Sequence, residues 1–506
     1  MTRIDSTTST TSTHRAGPKE WAALAVLMLP VLMTSVDNTV LTFALPAMSV
    51  DLRPTGTQLL WIVDVYAIML AGLLIAMGSI GDRFGRRRLL VIGSIGFGVA
   101  SLLAAFSQSP EMLLVARVLQ GVFGAMLMPS TLSLIRNVFH DARDRRIAIA
   151  TWAAMFSGGA ALGPVLGGWL LGHFWWGSVY FINAPIIIAF VPLALLLLPE
   201  SRDPRPGPLD LPSIGLSLAT MLPIVFAIKN VAEHGLTDLT LTAFAVGVIA
   251  AWALVRRLRT TPAPMIDLSL FGNRVFSGAI LANLLSFMGF TGFLFLGAQL
   301  LQLVLGLSAM DAALVLLPGL AATVVAGFVA VRLLRVVSAR VLVTASFAAS
   351  AVGYAMTALT DVPTVTTIAV AFAIMGVGIG MAETLTNDIM LSNVPPTKSG
   401  AASAISETAY EIGAVLGTAV LGTVLTSTYR SHLTYNAVVQ WGERDGSFET
   451  LGGTLEVAKY YPNMVGEGLV DSAKSAFDLG VQYTSAAAIV IALLAALVSW
   501  RTLKNA

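Results

Sequence analysis

Cysteine is absent from the 506 residues, which removes disulfides, thiolate-bound zinc and iron–sulfur clusters from consideration. Charge is scarce: Asp, Glu, Lys and Arg make up 11% of the chain, against 56% hydrophobic residues. A soluble domain carries about a quarter charged residues, so too few remain here to cover a surface that faces water. The five histidines (His14, His140, His173, His234, His432) are scattered, with no two at metal-ligand spacing. A net charge of +2 gives no reason to expect nucleic acid as a partner. The phosphate-binding pattern Gly-x-x-x-x-Gly-Lys-Ser/Thr is missing too. Neither Lys398-Ser399 nor Lys474-Ser475 has the preceding glycines, which argues against an ATP-driven pump. A membrane-embedded enzyme would need a nucleophile–base pair or a metal cluster, and the sequence displays neither.

What the chain has instead is length in apolar runs. Its mean hydropathy is +0.81, and a membrane-crossing helix needs about 20 mostly apolar residues. Fourteen such spans are expected: 20–46, 59–80, 89–107, 111–136, 147–173, 179–199, 212–231, 238–256, 275–303, 311–331, 339–359, 364–392, 400–427 and 482–502. Loop signals separate them, among them Arg-Pro-Thr-Gly at 53–56, Pro-Arg-Pro-Gly-Pro at 204–208 and Thr-Pro-Ala-Pro at 261–264. Residues 4–13, rich in Ser and Thr, read as a disordered tail, and the run from Trp21 is too long for a signal peptide.

An even number of spans places both termini on one side. That side collects 23 of the 30 Lys and Arg residues, the other holds six, and Arg117 lies within a span. Positive charge stays in the cytoplasm, so both termini are expected there, in the inner (plasma) membrane. The loop at 428–481 then lies outside, with seven acids from Glu443 to Asp478. It reads either as a lid or as a plain solvated loop, with a short amphipathic helix somewhere in 456–479.

The chain repeats itself. Span 5 holds Gly159-Ala-Ala-Leu-Gly163-Pro164-Val-Leu-Gly167-Gly168, and span 13 holds Gly413-Ala-Val-Leu-Gly417-Thr-Ala-Val-Leu-Gly422. Spans 4 and 12 share a glycine-rich start at Gly121 and Gly376. An offset of eight pairs spans 1–6 with 9–14 and leaves 7 and 8 as an insert. The expected organisation is a tail at 1–19, a six-helix bundle at 20–199, a linker with two inserted helices at 200–274, and a second bundle at 275–506. Repeated bundles of this kind place a site at their shared interface.

Four motifs occur in order. Span 1 has Val36-Asp37-Asn38-Thr39-Val40 followed by Ala44-Leu45-Pro46. The loop after span 2 has Gly78-Ser-Ile-Gly81-Asp82-Arg83-Phe84-Gly85-Arg86-Arg87-Arg88. Span 4 has Arg117-Val-Leu-Gln120-Gly121-Val-Phe-Gly124-Ala125, and span 5 has the glycine run just quoted. Together they resemble the major facilitator superfamily in its fourteen-span drug:proton antiporter branch, including the mycobacterial pumps for fluoroquinolones and quaternary ammonium compounds. The likeness covers nearly the whole chain. Two departures stand out: Trp175-Trp176-Gly177-Ser178 lacks the branch's usual Arg, and Glu383 stands where a Pro is common.

The resemblance implies an all-α membrane fold of two six-helix bundles plus two inserted helices. It also implies proton-coupled export of amphipathic cations such as quaternary ammonium compounds, ethidium, acriflavine and fluoroquinolones. The expected partners are small cationic substrates, protons and the lipid bilayer, with no cofactor beyond the coupling proton, no metal, and a monomeric chain. Proton-coupled transport of an endogenous metabolite stays open, and a channel is disfavoured by the repeat and the mid-span acids.

Ionisable residues inside a bilayer are costly, at least about 2.5–3.5 kcal/mol each, and so tend to function. The candidates are Asp37, Asp64, Arg117, Glu383, Asp388, Glu407 and Glu411, acids against a single base. An acidic interior attracts both a proton and an organic cation, and competition between the two is the core of antiport. Asp37, about 25 Å along span 1, Asp64 and Arg117 all fall in the outer half of the first bundle and could share one cluster. In the family the first-span Asp and fourth-span Arg are tied to proton coupling, which assigns that role to Asp37 and Arg117; a structural ion pair is the alternative. Glu407 and Glu411 share one helix face and read as cation contacts or a second proton site. Asp64, Glu383, Trp61 and Phe123 complete the expected substrate contacts. Met126, Met128, Trp152, Phe156, Phe287, Phe290 and Phe293 could line an adaptable pocket or simply pack. The family further assigns a gating latch to Gly78, Asp82, Arg83, Gly85 and Arg86, and a conformational, packing role to Gly159, Gly163, Pro164, Gly167 and Gly168.

Overall fold

A computed structural model describes residues 15–202, 210–262, 264, 266, 268–360, 363–394, 399–434, 447–461 and 463–505. The tail at 4–13, the 204–208 loop signal and Glu443 and Asp445 of the long loop lie outside the described residues.

The first helices are α1 (Pro18–Leu52), α2 (Gly56–Phe84), α3 (Arg86–Ala105), α4 (Pro110–Gly124), α5 (Leu127–Val138), α6 (Ala142–His173), α7 (Ser178–Phe181) and α8 (Asn183–Leu197). Next come α9 (Leu211–His234) and α10 (Asp238–Thr260). The remainder is α11 (Arg274–Gln299), α12 (Ala309–Leu333), α13 (Ala339–Ala358), α14 (Val365–Ser392), α15 (Ser399–Leu416), α16 (Thr423–His432), α17 (Leu451–Ala458) and α18 (Asn463–Thr502). Thirteen segments among the described residues are long and apolar enough to cross a membrane. Beside them stands α6, whose 32 residues reach about 48 Å at 1.5 Å per residue.

Local chemistry explains where these helices bend. Pro129 has no N–H to give to the carbonyl four residues back, at Ala125, and the fourth span breaks there into α4 and α5. In the thirteenth span, α15 and α16 are joined by a π-helical turn, Gly417–Gly422. The glycines there are spaced four and then five apart. A π turn absorbs one extra residue, so Gly413, Gly417 and Gly422 all reach α11, at Leu284, Met288 and Phe295 respectively. A second π turn, Leu300–Val304, ends the ninth span.

Packing follows the eight-span offset. α1 packs on α6 as α11 packs on α15, α2 on α4 as α12 on α14, and α3 on α8 as α13 on α18. Across the two halves, α2 meets α15 as α12 meets α6. The inserted pair α9 and α10 pack on each other, and α9 also lies against α2 and α16.

The contacts joining the halves gather at the end that carries residues 428–481. Gln302 Nε2 donates to the Phe43 carbonyl at 3.3 Å, and the Gly56 amide donates to Glu449 Oε2 at 2.9 Å. Gly168 lies on the backbone of Ala309 and Met310, and Gly422 on Leu60. The 428–481 segment is built into this end. α17 packs on α1 and α18, and Tyr429 meets the Thr454 hydroxyl at 2.6 Å. The last helix starts at Asn463 rather than near 482, so it is 40 residues long and about 60 Å, well beyond a hydrocarbon core of about 30 Å. The short amphipathic helix expected in 456–479 is replaced by α17 and the front of α18.

Candidate functional site

In the first half, Asp37 and Arg117 meet at 3.0 Å with side chains 0% and 2% exposed. Hydrogen bonds hold both. Arg117 Nε donates to the Ile62 carbonyl at 3.2 Å and Nη1 to Gln120 Oε1 at 3.0 Å. Asn183 Nδ2 donates to Asp37 Oδ1 at 3.1 Å and to Ser101 Oγ at 3.1 Å, and Gln120 Nε2 donates to Ser101 Oγ at 2.9 Å. The guanidinium sits over the Tyr66 ring at 4.4 Å and near Tyr180 at 5.9 Å. Five spans therefore converge on one carboxylate–guanidinium pair. Such a pair is held only where hydrogen bonds replace the lost water, and this one has them.

Asp64 does not join that cluster. On a helix, residues 62 and 66 share a face, whereas residue 64 lies about 200° round from 62. Ile62 and Tyr66 thus face Arg117 while Asp64 faces the inserted helix α9. There Lys229 Nζ meets Asp64 Oδ2 at 2.9 Å, with side chains 0% and 1% exposed, and lies 4.3 Å from the centre of the Trp61 ring. Thr418 of the π turn lies beside the same carboxylate, and Trp61 packs against an apolar cluster that includes Ala67, Val225, Val415 and Ala419. Lys229 corrects the expectation of a single buried base: among the described residues two are buried, and each pairs with one acid of the first half.

The second half is different. Glu383 lies against the Tyr410 hydroxyl, which also accepts from Asn387 Nδ2. Ser406 Oγ donates to Asn387 Oδ1 at 2.9 Å and accepts from Asn283 Nδ2 at 3.0 Å. Glu407 and Glu411 stand one turn apart on α15, near enough to repel each other. All three glutamates are half-buried, and among the described residues no Lys or Arg is paired with any of them. Asp388, by contrast, is exposed. Tyr66 is the bridge: it lies within electrostatic reach of Asp37 and Arg117 on one side and Glu411 on the other.

Aromatic residues continue from this cluster. Phe287 meets Tyr410 edge-on at 5.0 Å, Phe290 stacks on Phe372 at 6.2 Å, and Phe293 stacks on the same ring at 5.2 Å. Trp152 and Phe156 stack at 6.2 Å on α6. Phe123 is elsewhere, lying over Gly96 of α3, and Met126 and Met128 pack in the first half.

The glycine run of α6 rests on α1 next to Asp37. Gly159 lies against Ser35, Gly163 against Thr39 and the Val36 carbonyl, and Gly167 against Val40. A side chain at 163 would collide with the Thr39 hydroxyl, so this close approach fixes the residue. Pro164 lies within the unbroken α6. In the loop after α2, Gly85 turns the chain with φ of +114°, a conformation that favours glycine. Asp82 pairs with Arg86 at 2.7 Å. Arg87 and Arg88 reach Glu200 at 3.9 and 3.7 Å, and the Arg86 amide donates to the Ser201 carbonyl at 2.9 Å. Gly78 faces Pro129. These partners belong to the first half or, as Glu200 and Ser201 do, to the chain just after its sixth span, and no motif in the sequence marks Glu200.

Two pseudo-repeated bundles, charge pairs buried at mid-span and acids on the facing half define a multi-pass membrane transporter. The chain belongs to the Major Facilitator Superfamily, whose sequence pattern matches residues 27–418. It is 50% identical over 490 residues to the multidrug efflux pump LfrA of Mycolicibacterium smegmatis, with 97% of each chain covered. It is 33% identical to the methyl viologen resistance protein SmvA of Salmonella typhimurium, covering 96% of this chain and 99% of that one. Among solved structures, a bacterial homolog of the human lysosomal transporter Spinster, in an inward-facing and occupied conformation, aligns with a TM-score of 0.67. That alignment has 16% identity and covers 96% of this chain and 98% of that one; at that identity it speaks for the fold alone.

Proposed function

We propose that the protein is a proton-coupled antiporter that exports amphipathic organic cations, including quaternary ammonium compounds, ethidium, acriflavine and fluoroquinolones, across the plasma membrane. One observation carries the reading: both buried acids of the first half, Asp37 and Asp64, are neutralised by a base, whereas Glu383, Glu407 and Glu411 of the second half have none among the described residues. A half-buried carboxylate without a counter-charge is met either by a proton or by a cationic substrate, and the two exclude each other. Phe287, which meets Tyr410, and Phe290 next to it offer phenyl faces that suit the flat apolar body of such a cation. The names of the relatives, a multidrug efflux pump and a methyl viologen resistance protein, support drugs as the cargo.

Asp37 is the coupling carboxylate in this reading and Arg117 its counter-ion. Protonation of Asp37 frees Arg117 from one partner, and Tyr66, stacked on the guanidinium, passes the change towards Glu411. The charged termini face the cytoplasm, and the halves, joined at the opposite end, leave the substrate path open inward. The latch at Asp82 and Arg86 engages the second half when that path closes.

The test is ethidium efflux from energised cells, with and without a protonophore. Wild type is expected to export ethidium only while the proton gradient stands, and Asp37→Asn to lose export while the protein remains in the membrane. Efflux that persists in protonophore would remove proton coupling, and undiminished efflux by Asp37→Asn would remove Asp37 from the mechanism.

A further inference from the structure

The inserted helices have no mate in the repeat, yet α9 brings a buried charge to the first half. Lys229 is wholly buried, and its ammonium meets a single carboxylate and the face of an indole. A lysine ammonium carries three N–H donors; beyond Asp64, Lys229 Nζ finds no hydrogen-bond acceptor among the described residues. A carboxylate plus an aromatic face is instead the donor set that holds an alkylated ammonium, which needs charge and π-density but few or no acceptors. The position matters as well. Trp61 and Asp64 come from the first half, Val415, Thr418 and Ala419 from the second, so the pocket straddles the seam between the repeats.

We propose that Trp61 and Asp64 form a binding site for an organic ammonium group, which Lys229 occupies as a tethered stand-in. The proposal rests on the cation-export reading and extends it. With Lys229 seated, a substrate that carries one positive charge finds only the glutamates of the second half. A long substrate with two positive centres can set one on the glutamates and compete with Lys229 for Asp64. Lys229 is thereby a specificity-determining residue that discriminates by the number of charges on the cargo.

The experiment uses the full-length protein purified in detergent, with butylammonium and tetramethylammonium as probes. Lys229→Ala empties the side-chain volume above Trp61. Its melting temperature is expected to rise with either ion by about 2 °C or more beyond any rise in wild type and in Asp64→Asn/Lys229→Ala, both of which keep only the glutamates of the second half. In the same variant, affinity for the dication methyl viologen relative to the monocation ethidium is expected to rise roughly tenfold, one ion contact's worth. A folded Lys229→Ala that responds to neither ammonium ion, or one that fails to fold even with them present, would overturn the proposal. Failure of wild type to export ethidium would sink the export reading alone, because ammonium binding by Lys229→Ala is read without transport.

Discussion

At the scale of single residues, the buried pairs set the terms. Removing Arg117 strands the Asp37 carboxylate in an apolar interior, at a cost of about 3–5 kcal/mol. Arg117→Met is therefore expected to lower the thermal stability of the purified protein sharply. Asp37→Asn/Arg117→Met, which removes both charges, should regain most of that stability and still fail to export ethidium. A double variant as unstable as the single one would show that the guanidinium matters for its bonds to Ile62 and Gln120 more than for charge. Asp37 and Arg117 were legible in the sequence because an ionisable residue in the middle of an apolar run has few innocent explanations. Lys229 was not, since it stands two residues from the end of its expected span, where a lysine passes for a loop residue. The signal that could have found it was Asp64, a mid-span acid whose side of the helix excluded Arg117. The acids at 383, 407 and 411 were legible as residues, but their lack of bases was a matter of tertiary arrangement.

At the scale of elements, close helix contact is what the glycine runs supply. A methyl group at Gly163 would strike the Thr39 hydroxyl and the Val36 carbonyl, next to Asp37. Gly163→Ala should force α6 off α1 and cost about 1–3 kcal/mol, seen as a lower melting temperature with a matching loss of efflux. Gly158, whose added methyl meets open space, serves as the control, and Gly158→Ala should behave as wild type. Span positions could be read from hydropathy because lipid selects apolar residues for the full width of the membrane. The start of α18 could not. Its first two turns and those that follow carry Glu467, Asp471, Lys474 and Asp478 and pack on α16 and α17 beyond the apolar stretch, so their helical pattern is amphipathic rather than continuous. The break at Ala125 and the π turn at 417–422 follow from Pro129 and from unequal glycine spacing, both visible in the sequence but interpretable only once the neighbouring helix is known.

At the scale of the whole molecule, the proposed export requires the end joined through Leu60, Gly422, Phe43 and Gln302 to part. The chain has no cysteine of its own, so a pair introduced there reports without background. Leu60→Cys/Gly422→Cys should cross-link under oxidant, and efflux should stop and return on reduction. Export undiminished in the cross-linked protein would mean that this end need not open. The loop segment belongs to the same machine: through Glu449, the second half caps the first turn of α2 in the first. In the proposed orientation, with the termini inside, residues 447–458 would form a shoulder on the cell's outer surface. An antibody fragment that clasps this shoulder to the head of α2 would stall the pump from the medium, as an inhibitor that never has to enter the cell it disarms.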